Sequence, residues 1–570
     1  MKNNTKWITY PLNTQLAKKL SESLGISKIT AQILINRGCD TVLKAEKFLY
    51  GGSELFYPAL KMKDMGLALE KTKEACRNKE KIFLFGDYDV DGTSSVVMLL
   101  KTLKEIGAKC EYYIPRRLKE GYGLNTNAVK YAAQKGFKMI ITADCGISNC
   151  KEIALARELG MSVIVLDHHL PSGELPDANA IVNPKQEDCE YPFSELSASG
   201  IVYKFCTELL GSEVYSELKE ELLAFAALGT VADIAPLLDE NRLIVKKGLK
   251  NLNLTSNAGL NELLQRKELH FKKIMPWHIS FIIAPVINAE GRVHEYSDDV
   301  PLGYSQVVEL FTSGSNGNLP SKVSSICADN DIRQDIEKRI MNDAMEMAKE
   351  EIEKGNNIII LHNDNWHPGV IGIVASKLTE EFLKPVVIIG EGGRGSARSS
   401  VNFDIYSSID RCGKYLESYG GHTFAAGFKM DYRNLDNLKN ALCEIASNYE
   451  VDSPFRKKEE IDMDIDFDEM NKELINEFDM LEPFGYGNQQ PVFITRNVTV
   501  KYEPRIVGDK HLKLLLSQNG YTLQAIGFNM AEKKDILPEN EYFSVIYTPQ
   551  INNWNNEEHI QLKLKEIVIE

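Results

Sequence analysis

The chain has 570 residues, enough for about three or four domains at roughly 150 residues each. Its 43% hydrophobic and 26% charged content reads as a soluble globular protein, and no run of about 18 apolar residues predicts a membrane-spanning helix. A net charge of −15 argues against coating nucleic acid by bulk attraction, while leaving room for a basic groove on an acidic body. The N-terminal sequence MKNNTKWITYPLN lacks the apolar core of a signal peptide. Ten cysteines without regular spacing suit a reducing, cytoplasmic location, and Cys145 and Cys150 have no second pair with which to build a zinc site.

Residues 1–50 predict a polar helical segment. From Lys81 the texture changes to strand–loop–helix units: KIFLFG before TSSVVMLLKTLKEIG, FKMIITADCGIS before CKEIALARELG, and then the strand of MSVIVLDHH. Apolar strands joined by amphipathic helices predict an α/β domain with a doubly wound, largely parallel sheet. Helices and loops over about 205–320 extend this domain to 51–320. Residues 321–355 carry apolar residues at 3–4 spacing among mixed charges, which predicts one long exposed helix connecting two bodies. A second, smaller α/β domain begins at NIIILH and occupies 356–450. The remainder, 451–570, is β-rich, and its five short strand candidates predict a barrel of the OB type. The acidic run EEIDMDIDFDEM, Glu459 to Met470, reads as a half-exposed strand or a domain junction.

The chemistry gathers at strand ends. GDYDVDGTSS (Gly86–Ser95) begins like a calcium loop, with Asp87, Asp89 and Asp91 alternating before Gly92. The twelfth position, where such a loop needs a glutamate, is Met98, and a strand precedes the loop instead of a helix. A calcium loop is therefore excluded. Asp144 follows a second strand, Asp167, His168 and His169 follow a third, and Asp233 lies in GTVADIAPL. Ligands of parallel sheets collect beyond the carboxyl ends of the strands. Many carboxylates with one or two histidines suit Mn²⁺ or Mg²⁺, and two such cations activate water and polarise a phosphoryl group.

DYDVDG, TADCG, LDHH and GTVAD, in this order, resemble the four motifs of the DHH phosphoesterase superfamily. YGGHTFAAGF (Tyr419–Phe428) resembles the glycine-rich signature of its associated second domain, DHHA1. IPRRLKEGYGLN, INAEGR, WHPGVIGIVASKL, GSARSS and LEPFGYGN are similar to stretches of the superfamily's 5′→3′ single-strand-specific DNA exonucleases. The resemblance runs from about residue 50 to the C-terminus.

It implies that Asp89 and Asp144 hold one cation, and that Asp91, Asp144, His168 and Asp233 hold the other, with Asp144 bridging. Asp87 is a ligand or a supporting carboxylate. His169 is implied as general acid or charge stabiliser beside the scissile phosphate. Arg117, Arg292 and Arg398, with Ser396, would grip the 5′ end; Gly420 and Gly421 would admit a phosphate, with His422 as a polar contact. Tyr122 would stack on a base. Trp366 and His367 read as packing residues.

The strand would thread 5′ end first between the two α/β bodies, Arg333 and Gln334 of the long helix lining the groove, and leave as 5′-mononucleotides. Implied partners are single-stranded DNA, a single-strand-binding protein and a RecQ-type helicase in recombination and repair, with the enzyme a monomer. Two departures stand out. APVINAEGR replaces an expected APRINAAGR, so Val286 stands for an arginine and Glu290 for a small residue. Two other readings compete: a phosphodiesterase of nano-RNA, nucleotides or cyclic dinucleotides, which lacks the C-terminal barrel, and a non-catalytic single-strand-binding scaffold, which lacks the metal ligands.

Overall fold

The strand Lys81–Gly86 is buried from Ile82 onward and stands second in a five-stranded sheet. The structure, a computed structural model, describes residues 5–171, 173–211, 216–270, 272–294, 296, 300–314, 317–399, 403–448, 457–538, 541–554 and 557–569. The chain forms two units: one comprises Pro58–Ala235 and Lys247–Lys457, and the other Thr5–Tyr57, Pro236–Lys246 and Lys458–Glu570. Among the described residues, no helix is long and apolar enough to cross a membrane.

In the first unit, β1 (Lys81–Gly86), β2 (Lys109–Tyr113), β3 (Met139–Ala143), β4 (Ser162–Leu166) and β5 (Ala180–Val182) are all parallel, in the order β2-β1-β3-β4-β5. Continuous apolar runs such as IFLF and VIVL form such strands because helices cover both faces and leave no solvated side. Phe83 and Phe85 pack on Tyr113, and Phe83 also meets Phe137 at 5.1 Å between ring centroids. The strand order reverses between β1 and β3, so a crevice opens beyond their carboxyl ends. Helix α1 (Val90–Glu105) leaves that crevice, followed by α2 (Ala198–Leu210), α3 (Ser216–Ala232), α4 (Ala284–Val293) and α5 (Gln306–Thr312).

Helix α6 (Leu319–Glu353) has 35 residues, roughly 50 Å at 1.5 Å per residue. It is the long connecting helix expected from its spacing, but one of its faces is buried along its length. Leu319, Val323 and Ile326 are buried in its first half, Ile340, Ala344 and Ala348 in its second. Between them Asn330, Arg333 and Glu337 form a buried polar band, in which Arg333 donates to both neighbours. Arg333 is therefore committed inside the helix packing and does not line a groove, whereas Gln334 is exposed.

The second sheet of this unit has β6 (Ile359–His362), β7 (Val386–Ile389), β8 (Arg394–Arg398), β9 (Ser418–His422) and β10 (Ala425–Lys429) in the order β9-β10-β8-β7-β6. Only β6 and β7 are parallel. Trp366 is buried against α7 (Ile371–Phe382) and the second half of α6 as a core residue. Arg394 donates to the carbonyl of Leu118 at 2.7 Å, tying β8 to the segment that carries Arg117.

Among the described residues the second unit holds seven barrel strands where five were expected: β11 (Met463–Asp464), β12 (Phe493–Val500), β13 (Arg505–Val507), β14 (His511–Gln518), β15 (Tyr521–Gly527), β16 (Phe543–Trp554) and β17 (Glu557–Val568). They run β11-β12-β16-β17-β15-β14-β13, and an additional pairing of β12 with β14 closes the barrel. The N-terminal segment is not helical throughout, since Thr5–Thr9 is a strand paired with Lys457–Ile461. Its helices share one core with the barrel, Leu20, Leu34 and Leu49 lying with Phe493, Leu514 and Tyr547. Arg242 donates to the carbonyls of Phe48, Met480 and Leu481, closing the ends of short helical segments. Gly485 of LEPFGYGN admits Leu237, which a Cβ would strike, and Gly487, at φ +77°, sits close against Pro236 and Leu238.

Candidate metal centre

Asp89 caps α1: one carboxylate oxygen accepts from the amides of Asp91 and Gly92 at 3.0 and 3.1 Å, leaving the other free. Gly92 is required because a Cβ there would lie 2.6 Å from the Asp87 carbonyl oxygen. Asp91, the second residue of α1, is fully buried. Its two oxygens accept from the amides of Ala198 and Ser199 at the start of α2, at 2.8 and 2.9 Å. Gly229 of GTVAD leaves space for this carboxylate, since its Cβ would stand 2.4 Å from Asp91 Oδ1.

Asp144 follows β3 in the left-handed region, φ +62°. That conformation costs a non-glycine residue on the order of 1–3 kcal/mol and needs outside support. The support is visible: the Asp144 amide donates to Leu166 O, and Tyr122 Oη donates to the Asp144 carbonyl at 3.0 Å. The Tyr122 hydroxyl is therefore structural, while its ring stays exposed.

His168 Nε2 lies 3.2 Å from Asp144 Oδ1 and 4.0 Å from Asp91 Oδ2, and its Nδ1 lies 3.7 Å from Asp233 Oδ2. Two groups of potential ligand atoms result, each within 4.8 Å: Asp87, Asp89 and Asp144 on one side, Asp91, His168 and Asp233 on the other. Asp144 also groups with His168 and His169, so it stands between the two.

Asp87 Oδ1, Asp144 Oδ1 and His168 Nε2 are buried without a hydrogen-bond partner. Buried polar atoms of a native fold are almost always satisfied, so three orphans converging on one place fit a cation. Oxygen-rich ligands with one imidazole match Mn²⁺ or Mg²⁺.

The electrostatics agree. Burial and then the neighbouring carboxylates push Asp87 and Asp144 well above the usual carboxylate range, and Asp91 to about 6. Asp233 is raised to about 8, by burial and by Asp91 and Asp89. Burial and His169 lower His168 to about 3, leaving it neutral as a metal ligand must be.

Asp167 behaves oppositely. Burial would raise it, but the hydrogen bond and charge of His169 prevail and bring it to about 2. It accepts from the amides of Ile147, His168 and His169 and from His169 Nδ1 at 2.7 Å. Asp167 thus orients the histidine pair, a task the sequence reading did not give it, although it heads the DHH triplet. Against the cost of burial, that bond raises the pKa of His169.

A pH dependence follows. A carboxylate whose folded pKa is raised above about 3.9 stabilises the fold below that pH and loses the contribution as pH rises through the folded value. His169 has the same sign; His168 opposes it only below about pH 6.5. The chelated protein should therefore lose thermal stability between about pH 6.5 and 8. Added Mn²⁺ should raise the melting temperature more at the upper end, because protons no longer compete. Melting curves with chelator and with Mn²⁺ across that range test this; a shift independent of pH would contradict it.

Beside the cluster lie the arginines. Arg117 stacks over Tyr88 at 5.0 Å. Burial and the Arg117 charge lower Arg292 to about 10 and also depress Arg398. Arg398 donates to Ser396 Oγ at 3.2 Å, and Gly372 of the WHPGVIG stretch leaves room for both. Among the described residues none of the three pairs with a carboxylate. Guanidinium groups that repel one another, with only the Asp87 and Asp89 carboxylates of the cluster as nearby counter-charges, form a site for a phosphate.

From the second sheet His422 brings its ring within 6.4 Å of His169, nearly parallel at 15°. The two glycines before it differ. A Cβ on Gly421 would collide with Ala425 O, so the β9–β10 hairpin itself demands that glycine, whereas Gly420 faces open space. Val286 is buried in α4, and Glu290 is held in hydrogen bonds.

This fold and centre are those of a DHH phosphoesterase. Family models match in sequence: the DHH family, N-terminal domain, over residues 81–230, the DHHA1 domain over 355–448 and the RecJ OB domain over 461–566. The single-stranded-DNA-specific exonuclease RecJ of Bacillus subtilis is 36% identical over 99% of this chain and 71% of its own length. The chain belongs to the RecJ family. A crystal structure of RecJ from Thermus thermophilus in complex with Mn²⁺ has the same fold, with a TM-score of 0.84 and 24% identity over 100% of this chain and 80% of that one. A crystal structure of an exonuclease RecJ bound to manganese is 30% identical, with a TM-score of 0.60 over 69% of this chain and 97% of its own.

Proposed function

We propose that the chain is a metal-dependent exonuclease that releases 5′-mononucleotides from the 5′ end of single-stranded DNA. The observation that carries this is the pairing of two acidic ligand groups, meeting at Asp144, with three neighbouring arginines that pair with no carboxylate among the described residues. Asp87, Asp89 and Asp144 hold one divalent cation, and Asp91, Asp144, His168 and Asp233 the other. Two cations at such a centre activate a water and stabilise charge on the phosphoryl group.

The protein's own groups do the rest. Arg117, Arg292, Arg398 and Ser396 hold the terminal phosphate, which places the first phosphodiester at the cluster. His169, oriented by Asp167, whose hydrogen bond and charge favour its protonated form, stabilises the phosphodiester and gives a proton to the leaving oxygen. Gly420 lets the strand approach the backbone, with His422 beside it, and the exposed Tyr122 ring stacks on a base.

The domains run as 51–320, 321–355, 356–450 and 451–570, the last an OB barrel that binds the following nucleotides. The work belongs to recombination and repair in the cytoplasm, as a monomer, alongside a single-strand-binding protein and a RecQ-type helicase.

Competition separates this from its rivals. Labelled single-stranded oligonucleotide, duplex, dinucleotide and cyclic dinucleotide are each offered with Mn²⁺. The long single strand should be degraded and the duplex spared. Cleavage confined to the dinucleotides transfers the reading to a small-substrate phosphodiesterase, and binding without cleavage transfers it to a scaffold.

A further inference from the structure

Glu290 departs from the expected sequence, and nothing in the proposed chemistry uses it. Its two oxygens nonetheless accept four hydrogen bonds, every one from the segment that follows α4. Tyr296 Oη and the Gln306 amide donate to Oε1, the latter at 2.6 Å. Ser305 Oγ and the Val307 amide donate to Oε2 at 2.8 and 3.3 Å. Gln306 and Val307 are the first two residues of α5, so Glu290 neutralises the amides that a helix start leaves unpaired.

One turn further, His294 Nδ1 lies 2.9 Å from both oxygens of the buried Asp329 on α6. Gln306 Nε2 donates to the same carboxylate at 2.7 Å. Glu290 and His294 thus pin the last turn of α4 to both α5 and α6.

Arg292 lies between them in sequence. Residues two apart on a helix project about 200° apart, so Arg292 leaves the turn on the face opposite this brace. On the other side its carbonyl is approached so closely by Gly369 that a Cβ there would stand 2.0 Å away. The turn is clamped, and the guanidinium at its tip is repelled by Arg117 and Arg333. A cavity of about 340 Å³, walled by Tyr88, Arg117, Glu290, Gly291, His294 and Tyr296, offers room for the turn to relax if the brace is lost.

We propose that Glu290 and the His294–Asp329 pair are positioning residues that hold Arg292 against like-charge repulsion in the place where a 5′-terminal phosphate meets it. The inference rests on the reading of Arg292 as a phosphate-binding residue. It assigns Glu290 a role in selecting phosphorylated over hydroxyl 5′ ends, exercised entirely through Arg292.

The test compares KM and kcat on 5′-phosphorylated and 5′-hydroxyl single strands for wild type, Arg292→Ala, Glu290→Ala, Glu290→Gln, Asp329→Asn and the double variant Arg292→Ala/Glu290→Ala. All four partners of Glu290 are donors, so glutamine turns an amide group toward them while keeping the size. Should Glu290→Ala not fold, Glu290→Gln and Asp329→Asn carry the test. The ratio of KM values that expresses phosphate preference should fall about tenfold in Glu290→Ala and Asp329→Asn, with kcat on the hydroxyl strand little changed. Arg292→Ala should lower the preference at least as far, and adding Glu290→Ala to it should change nothing more. If Arg292→Ala lowers the preference while the brace variants keep it, the inference is overturned and the phosphate reading stands. If Arg292→Ala leaves the preference intact, both fall. Equal losses on both strands, tracking a lower melting temperature, reduce the brace to fold support and also overturn the inference.

Discussion

Asp144→Asn is expected to lower single-turnover cleavage by about 1,000-fold or more while leaving the metal-free protein more stable than wild type. The first effect follows from the position of Asp144 between both ligand groups. Losing about 4 kcal/mol of transition-state stabilisation costs three powers of ten, and metal-derived stabilisation is of that order. The second effect has the opposite sign because Asp144 is buried among Asp89, Asp91 and Asp87, all of the same charge. Asparagine removes the charge and tolerates the left-handed backbone that Asp144 adopts. Relief of about 1 kcal/mol would raise the melting temperature in chelator by roughly 2–4 °C for a domain of 150–250 residues. A variant that loses both activity and metal-free stability would show Asp144 to be holding the fold instead of a cation.

Arg398→Ala is expected to act on the other half of the centre. A hydrogen bond to a charged group contributes about 1.5–3 kcal/mol, so the variant should lose roughly 10- to 100-fold in kcat/KM on a 5′-phosphorylated strand. On a 5′-hydroxyl strand the loss should be small, because no terminal phosphate is there to be gripped. The loss should appear mainly in KM. Arg398→Lys should recover little, since one guanidinium nitrogen of Arg398 is already held by Ser396 Oγ and the Ala397 carbonyl, and an ammonium has no second nitrogen left to offer a phosphate. Equal losses on both strands would place Arg398 at the reacting phosphodiester and not at the terminus.

The catalytic corner was legible because its signals are local. KIFLFG, MIITA and SVIVL are continuous apolar runs, so β1, β3 and β4 and the loops after them could be placed in order, and the parallel-sheet rule brings their ends together. Asp87, Asp89, Asp91, Asp144 and the histidines needed nothing more. What the sequence hid depends on contacts between distant segments. The N-terminal helices share a core with a barrel more than 400 residues away, as in the hydrogen bonds from Thr30 and Ser27 to Glu477. Arg333 looked like a groove residue because helical charges usually face water, yet Glu337 and Asn330 hold it inside. Tyr122 gave no sign that its hydroxyl supports the strained backbone of Asp144. Glu290 read only as a departure, because the amides it caps lie in a helix that starts sixteen residues later.

The most direct measurement is single-turnover digestion of one single-stranded oligonucleotide, labelled in parallel reactions at its 5′ and its 3′ end, with Mn²⁺ or chelator. The account predicts that the 5′ label appears at once as mononucleotide, while the 3′ label passes through a ladder of shortening strands. Neither should change in chelator. A 3′ label released first, internal cuts that yield oligonucleotides, or undiminished cleavage in chelator would contradict it.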